Sequence, residues 1–65
     1  MTINSTKIET VLAERNLTKS EFSQHCGVSR QTLSTIVRRG TCEPRTAGKI
    51  ARALGVTVEY LTQED

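Results

Sequence analysis

The apolar residues fall into four copies of one local pattern: an apolar residue, a capping residue, then another apolar residue four positions into a helix. This is a hydrophobic staple around an N-cap. Ile3, Asn4 and Ile8 open a first helix, and Leu17, Thr18 and Phe22 a second. Val28, Ser29 and Leu33 open a third, and Val56, Thr57 and Leu61 a short last one. Glu21, three residues after Thr18, completes a capping box. Stop signals agree: Asn16 and Gly27 suit the left-handed ends of the first two helices, Gly40 ends the third and Gly55 the fourth. Pro44 suits the first turn of that fourth helix. There, Ala47, Ile50, Ala51 and Leu54 form an apolar stripe, and Arg45, Lys49 and Arg52 a basic one. No strand pattern, internal repeat, low-complexity segment or linker competes. The expectation is an all-α, compact five-helix domain over residues 1–65.

The third helix has an unusual outer face. Leu33, Ile36 and Val37 point inward; Gln31, Thr35 and Arg38 recur at i, i+4 and i+7 on the other side. A helix meant only for solvation is usually rich in Glu and Lys, yet no acid occurs from Gly27 to Thr41. Arg30, Gln31, Thr32, Ser34 and Thr35 all form directional hydrogen bonds. Gln matches adenine N6 and N7, Arg matches guanine O6 and N7, and Thr or Ser serves either or touches a thymine methyl. The N-terminus of the helix, capped by Ser29, offers free N–H groups and a positive dipole end to phosphate. The preceding helix, about Thr18 to Cys26, is joined to it by only Gly27 and Val28. Two short helices with a tight glycine turn, the second polar and acid-free, describe a helix-turn-helix over about 18–39. The alternative is an ordinary antiparallel helix pair inside a bundle.

Charge on its own favours a plain solvated run. The net charge is only +2, but it is unevenly spread. Residues 1–29 balance three cations against three acids; residues 30–52 carry six cations and one acid; residues 53–65 carry acids alone. A basic middle and an acidic end suggest one surface that meets polyanions, a solvated charge run being the alternative. A chain of 65 residues is one domain at most. A domain of this size buries only about 60% of its unfolded surface, which leaves little room for an enclosed substrate pocket.

Other chemistry finds little support. No apolar run approaches the ~20 residues of a membrane span, and the N-terminus lacks a signal-peptide pattern, so a cytoplasmic location is expected. Cys26 and Cys42 are then reduced, and the glycosylation patterns at Asn4 and Asn16 are chance matches. His25, Cys26 and Cys42 lack the fourth ligand and close pairing of a zinc site. Cys26 is expected as a small buried hydrophobe; Cys42 is an incidental loop cysteine unless it is an exposed, low-pKa redox thiol. Gly48-Lys49 is not a phosphate loop: the spacing from Gly40 is wrong and Ile50 stands where Ser or Thr is required. No acid or nucleophile constellation surrounds His25, so no enzyme, metal or cofactor is expected.

Two blocks, LTKSEFSQHCGVSRQTLSTI (17–36) and KIARALGVTVEYL (49–61), make the stretch from about Thr6 to Leu61 resemble the Xre/Cro-type helix-turn-helix family of phage and bacterial repressors. The resemblance implies a lambda-repressor-like fold with the third helix in the major groove. It implies base contacts from Arg30 and Gln31, with Thr32, Ser34 and Thr35 as secondary base or sugar contacts. It implies phosphate contacts from Thr18 and Lys19, from Ser29 at the helix cap, and from Arg38, Arg39, Thr41 or Arg45 after the third helix. The chain departs from the family pattern in places. Ser23 stands where many members have Ala, and Val37 is followed by Arg38 and Arg39 where many have Glu and an earlier glycine.

The expected function is sequence-specific binding of double-stranded DNA as a bacterial or phage-encoded transcriptional repressor. A homodimer would read a pseudo-palindromic operator with half-sites roughly 34–36 Å apart. Val58 and Tyr60 on the last helix are the expected dimer contacts, with Tyr60 equally suited to the core. Two alternatives keep the fold and change the main partner to a protein: an antitoxin-like or accessory module, and an interaction domain that does not bind DNA.

Overall fold

The computed structural model describes residues 1–64 and is all-helical among them. Five helices follow in order: α1 (Ser5–Glu14), α2 (Lys19–Cys26), α3 (Arg30–Arg39), α4 (Pro44–Leu54) and α5 (Val58–Thr62). Each start has a local cause. The Asn4 side chain accepts from the Thr6 N–H at 3.0 Å, that of Ser29 from Thr32 at 3.1 Å, and that of Thr57 from Tyr60 at 3.0 Å. Thr18 and Glu21 form the full capping box: Thr18 Oγ1 accepts from the Glu21 N–H at 3.1 Å, and Glu21 Oε1 from the Thr18 N–H at 3.0 Å. α4 has no side-chain cap; Pro44 instead brings no N–H that would need one.

The helix ends are as the sequence indicates. Asn16, Gly27, Gly40 and Gly55 all have positive φ. At Gly27, φ is 75°, and the chain turns from α2 into α3 with only Val28 and Ser29 between. A β-carbon there would meet no neighbour, so backbone conformation alone selects glycine.

The staples close one core. Ile8, Phe22, Leu33, Ile50, Leu54 and Leu61 are essentially inaccessible, and Ile3, Leu12, Cys26, Val28, Ile36, Ala47 and Ala51 complete the buried set. No polar or charged residue is buried among the described residues, so the core carries no desolvation cost. α2 packs against α3 and α4, α1 against α3 and α5, and α4 against α5. Val37, expected inward, is only half-buried at the edge of this core.

Two long-range ties have no counterpart in the sequence pattern. First, residues 1–5 form a strap. Thr2 and Thr41 make an isolated antiparallel bridge, where no extended pairing was expected. Ile3 N–H donates to the Gly40 carbonyl at 2.8 Å, Ser5 Oγ to that of Val37 at 2.7 Å, and the Met1 amine and Cys42 N–H exchange bonds at 3.0 Å with each other's residue. The strap thus holds the C-terminal end of α3 and the loop after it. Asn4 also donates to Leu61 through its main chain at 2.6 Å and to Gln63 through its side chain at 3.0 Å. Second, Arg15 Nη2 donates to the Leu54 carbonyl at 2.6 Å. A cation there meets the negative end of α4.

Gly48 is the one helical glycine. Its φ is not positive, and an added β-carbon would meet nothing within 4 Å. Gly48→Ala should therefore raise stability by about 0.5–1 kcal/mol, because alanine loses less chain entropy in a helix interior. Urea denaturation should show a higher midpoint with an unchanged slope; a lower midpoint would mean that the surroundings reject the methyl group.

Candidate nucleic-acid interface

With Leu33 and Ile36 buried, the helical repeat fixes what α3 presents outward. Arg30, Gln31, Thr32, Ser34, Arg38 and Arg39 are exposed, and Thr35 is half-exposed. The Gln31 carboxamide makes no hydrogen bond among the described residues, so both its donor and its acceptor face solvent. Arg38 and Arg39 lie in the last turn, where positive charge complements the helix dipole.

The hydroxyls differ in what they have left to offer. Thr35 Oγ1 donates to the Gln31 carbonyl at 3.0 Å, so its methyl group and a lone pair remain for a partner. Ser29 Oγ accepts from the Thr32 N–H and donates to Thr32 Oγ1 at 2.8 Å. Its hydroxyl hydrogen is used. An anion at this end of α3 would meet instead the Thr32 hydroxyl and the first-turn N–H groups of Arg30 and Gln31. Thr18 Oγ1 accepts its capping bond, and its hydroxyl also bonds the Glu21 carboxylate, so at this end of α2 Lys19 and Ser20 have more left to offer.

Residues from two helices share one open cleft. Thr18, Lys19 and Ser20 at the start of α2 line it with Arg30 and Ser34 of α3. Arg30 and Ser34 therefore sit beside the α2 terminus, while Gln31, Thr32 and Thr35 lie outside the cleft. Ser20 joins this group without any signal in the sequence pattern beyond its neighbours. Lys19 Nζ lies 3.8 Å from Glu9 Oε1 of α1, an exposed pair that solvent screens and that a stronger anion can replace. Arg45, by contrast, faces a separate hollow with Gly48, Lys49 and Arg52. Thr41 is exposed on the strapped loop.

A helix-turn-helix family model matches residues 8–61, most of the chain. The chain belongs to the Xre-type helix-turn-helix family. This family consists of DNA-binding transcription regulators, and α2, the turn at Gly27 and α3 all lie within the matched residues. Among curated proteins, none matches the chain.

The remaining candidate residues of this Xre-type domain can now be placed. Cys26 is buried beside the turn, with Sγ 3.9 Å from the Val28 carbonyl. Cys42 is half-buried, and burial pushes its thiol pKa up, aided by Glu43 and opposed by the N-terminal amine. That runs against an exposed low-pKa redox thiol. His25 is exposed at the end of α2. Tyr60 is half-buried at the rim of the core, with Lys7 Nζ 4.7 Å from its ring centroid. Val58 is also half-buried. No helix among the described residues is long and apolar enough to cross a membrane.

The capping box makes the start of α2 sensitive to acid. The Thr18 N–H and hydroxyl hold the Glu21 carboxyl below its ordinary value of 4.5. A depressed folded-state pKa stabilises the fold above the ordinary value, and that contribution fades as pH falls through the folded-state value. Glu21→Ala should therefore be less stable than the parent near neutral pH, and the gap should close as pH drops below 4.5. A gap that stays constant across thermal melts from pH 7 to pH 3 would show that the carboxylate is not the source.

Proposed function

We propose that the protein is a transcriptional repressor that binds a specific double-stranded DNA operator as a homodimer. The observation that carries this reading is the free face of α3. Gln31 presents an unpartnered carboxamide, no acid interrupts the face, and the start of α2 adds hydroxyl and ammonium donors beside it. In this mechanism α3 enters the major groove and Gln31 reads an adenine edge. The Thr35 methyl touches a thymine, and Thr32 offers its hydroxyl at the helix start.

Arg30 and Ser34 stand at the border between groove and strand, because they share the cleft with Thr18 and Lys19. Thr18, Lys19 and the α3 terminus at Ser29 hold one run of phosphates. Arg38, Arg39, Thr41 and Arg45 hold the strand after α3. These contacts set register, and the base contacts set specificity. Occupying a promoter would then exclude polymerase.

Size sets what a pseudo-palindromic operator would need. The largest Cα extent of one copy is 25 Å. Half-sites one helical turn apart are roughly 34–36 Å from centre to centre. One copy cannot cover both, so a pseudo-palindromic operator needs two. Val58 and Tyr60, half-buried on α5, are the proposed dimer contacts.

Selection of bound duplexes from a random pool at near-physiological salt tests the whole reading. An enriched inverted repeat is the expected result. An enriched single half-site would retain DNA recognition and remove the dimer; no enrichment would redirect attention to a protein partner. On the selected site, Gln31→Ala should cost about 1–3 kcal/mol and relax preference at one base pair. Lys19→Ala should weaken all sequences alike and lower the salt slope by about 1. Unchanged affinity of the Gln31 variant on every site would show that α3 does not lie in the groove.

A further inference from the structure

The hollow on α4 is not used by the mechanism above, apart from Arg45 at its first turn. Arg45, Lys49 and Arg52 recur at i, i+4 and i+7 and line it together with Gly48. It is open and holds about 290 Å³. All three cations are exposed, and none has an acidic partner among the described residues. Glu43, the nearest acid in sequence, does not line the hollow. Like charges one turn apart repel, and Arg45 also sits at the positive end of the helix dipole. Only Arg52, in the last turn of α4, gains from the helix dipole; Arg45 and Lys49 do not. Gly48 lines it too, and a β-carbon added there would meet no neighbour within 4 Å. A missing side chain at that point lets an outside group approach the helix backbone between the three cations.

We propose that Arg45, Lys49 and Arg52 form a second phosphate-binding track that engages the backbone of duplex DNA beyond the contacts of the helix-turn-helix. This rests on the DNA-binding reading above and extends it to two residues, Lys49 and Arg52, that the helix-turn-helix does not use. Dimensions fit. Seven residues of helix rise about 10 Å, close to the axial rise of three nucleotides in one strand. Three cations would thus lie along a run of about four phosphates. The track begins directly after the strapped loop that leaves α3, so along the chain it follows Arg38 and Arg39. It reads no bases. It adds affinity that is uniform over sequences and steep in salt.

The test uses the full chain and the selected operator duplex, with a scrambled duplex of the same length. In Lys49→Ala/Arg52→Ala both exposed side chains are shortened to a good helix former, and circular dichroism checks the fold. The expected result is weaker binding to both duplexes by the same factor. The slope of log affinity against log salt should fall by about 1.8, so the deficit shrinks about tenfold between 50 and 200 mM salt. Thr6→Glu/Thr10→Glu on α1 makes the same change in net charge at exposed positions. It should move the slope far less. An unchanged slope for K49A/R52A, or an equal change for T6E/T10E, would overturn the track while leaving the operator reading intact. Failure of the parent chain to bind any duplex would overturn both, and is distinguished by that alone.

Discussion

Burial of Leu33 and Ile36 is the constraint on which the other functional features depend. With 3.6 residues per turn, fixing these two side chains in the core fixes the direction of every other side chain on α3. Gln31 and Arg38 have no inward option left. The same burial sets the angle of α3 against α2, because Phe22, Cys26 and Val28 fill the space under the turn. A helix held by two residues would rock. The strap limits that motion at the other end, where Ser5 and Ile3 donate to the carbonyls of Val37 and Gly40. The polar face is thus presented by a helix tied at its start by a cap and at its end by another segment of the chain.

The helical starts and stops were legible because each is a local event. Asn4, Thr18, Ser29 and Thr57 cap within three residues of their own positions, and the staples lie within five. Asn16 and Gly27 likewise act at one residue. The buried stripe of α4 followed from periodicity. The Thr2–Thr41 bridge, the Arg15 bond to Leu54 and the double use of Asn4 were not legible. Each joins residues far apart in sequence and ends on a main-chain carbonyl, which carries no residue-specific signal. Val37 shows the limit of periodicity itself: it lies on the apolar side of the wheel, but the core ends before reaching all of it.

The candidate interface divides the same way. That α3 has a polar, acid-free face could be read from residue types alone. How much of each side chain remains free could not, because that depends on neighbours. Thr35 and Ser29 were grouped with the other hydroxyls, yet one donates back to its own helix and the other is consumed by its cap. Lys19 carries an acidic neighbour from α1 that any DNA strand would have to displace. The cleft that gathers Thr18, Lys19, Ser20, Arg30 and Ser34 exists only once α2 and α3 are packed.

The strap has a topological consequence as well. Asn4 binds the main chain at Leu61 and Gln63, so the two ends of the domain lie side by side. The five helices form a ring that happens to be closed by hydrogen bonds instead of a peptide linkage. A ring has no privileged starting point. Bridging the ends with a short flexible segment and opening an exposed turn elsewhere, such as the one at Asn16, would leave every staple and the whole buried cluster in place. The order of the helices along the chain is then a matter of history, and their arrangement in space a matter of packing.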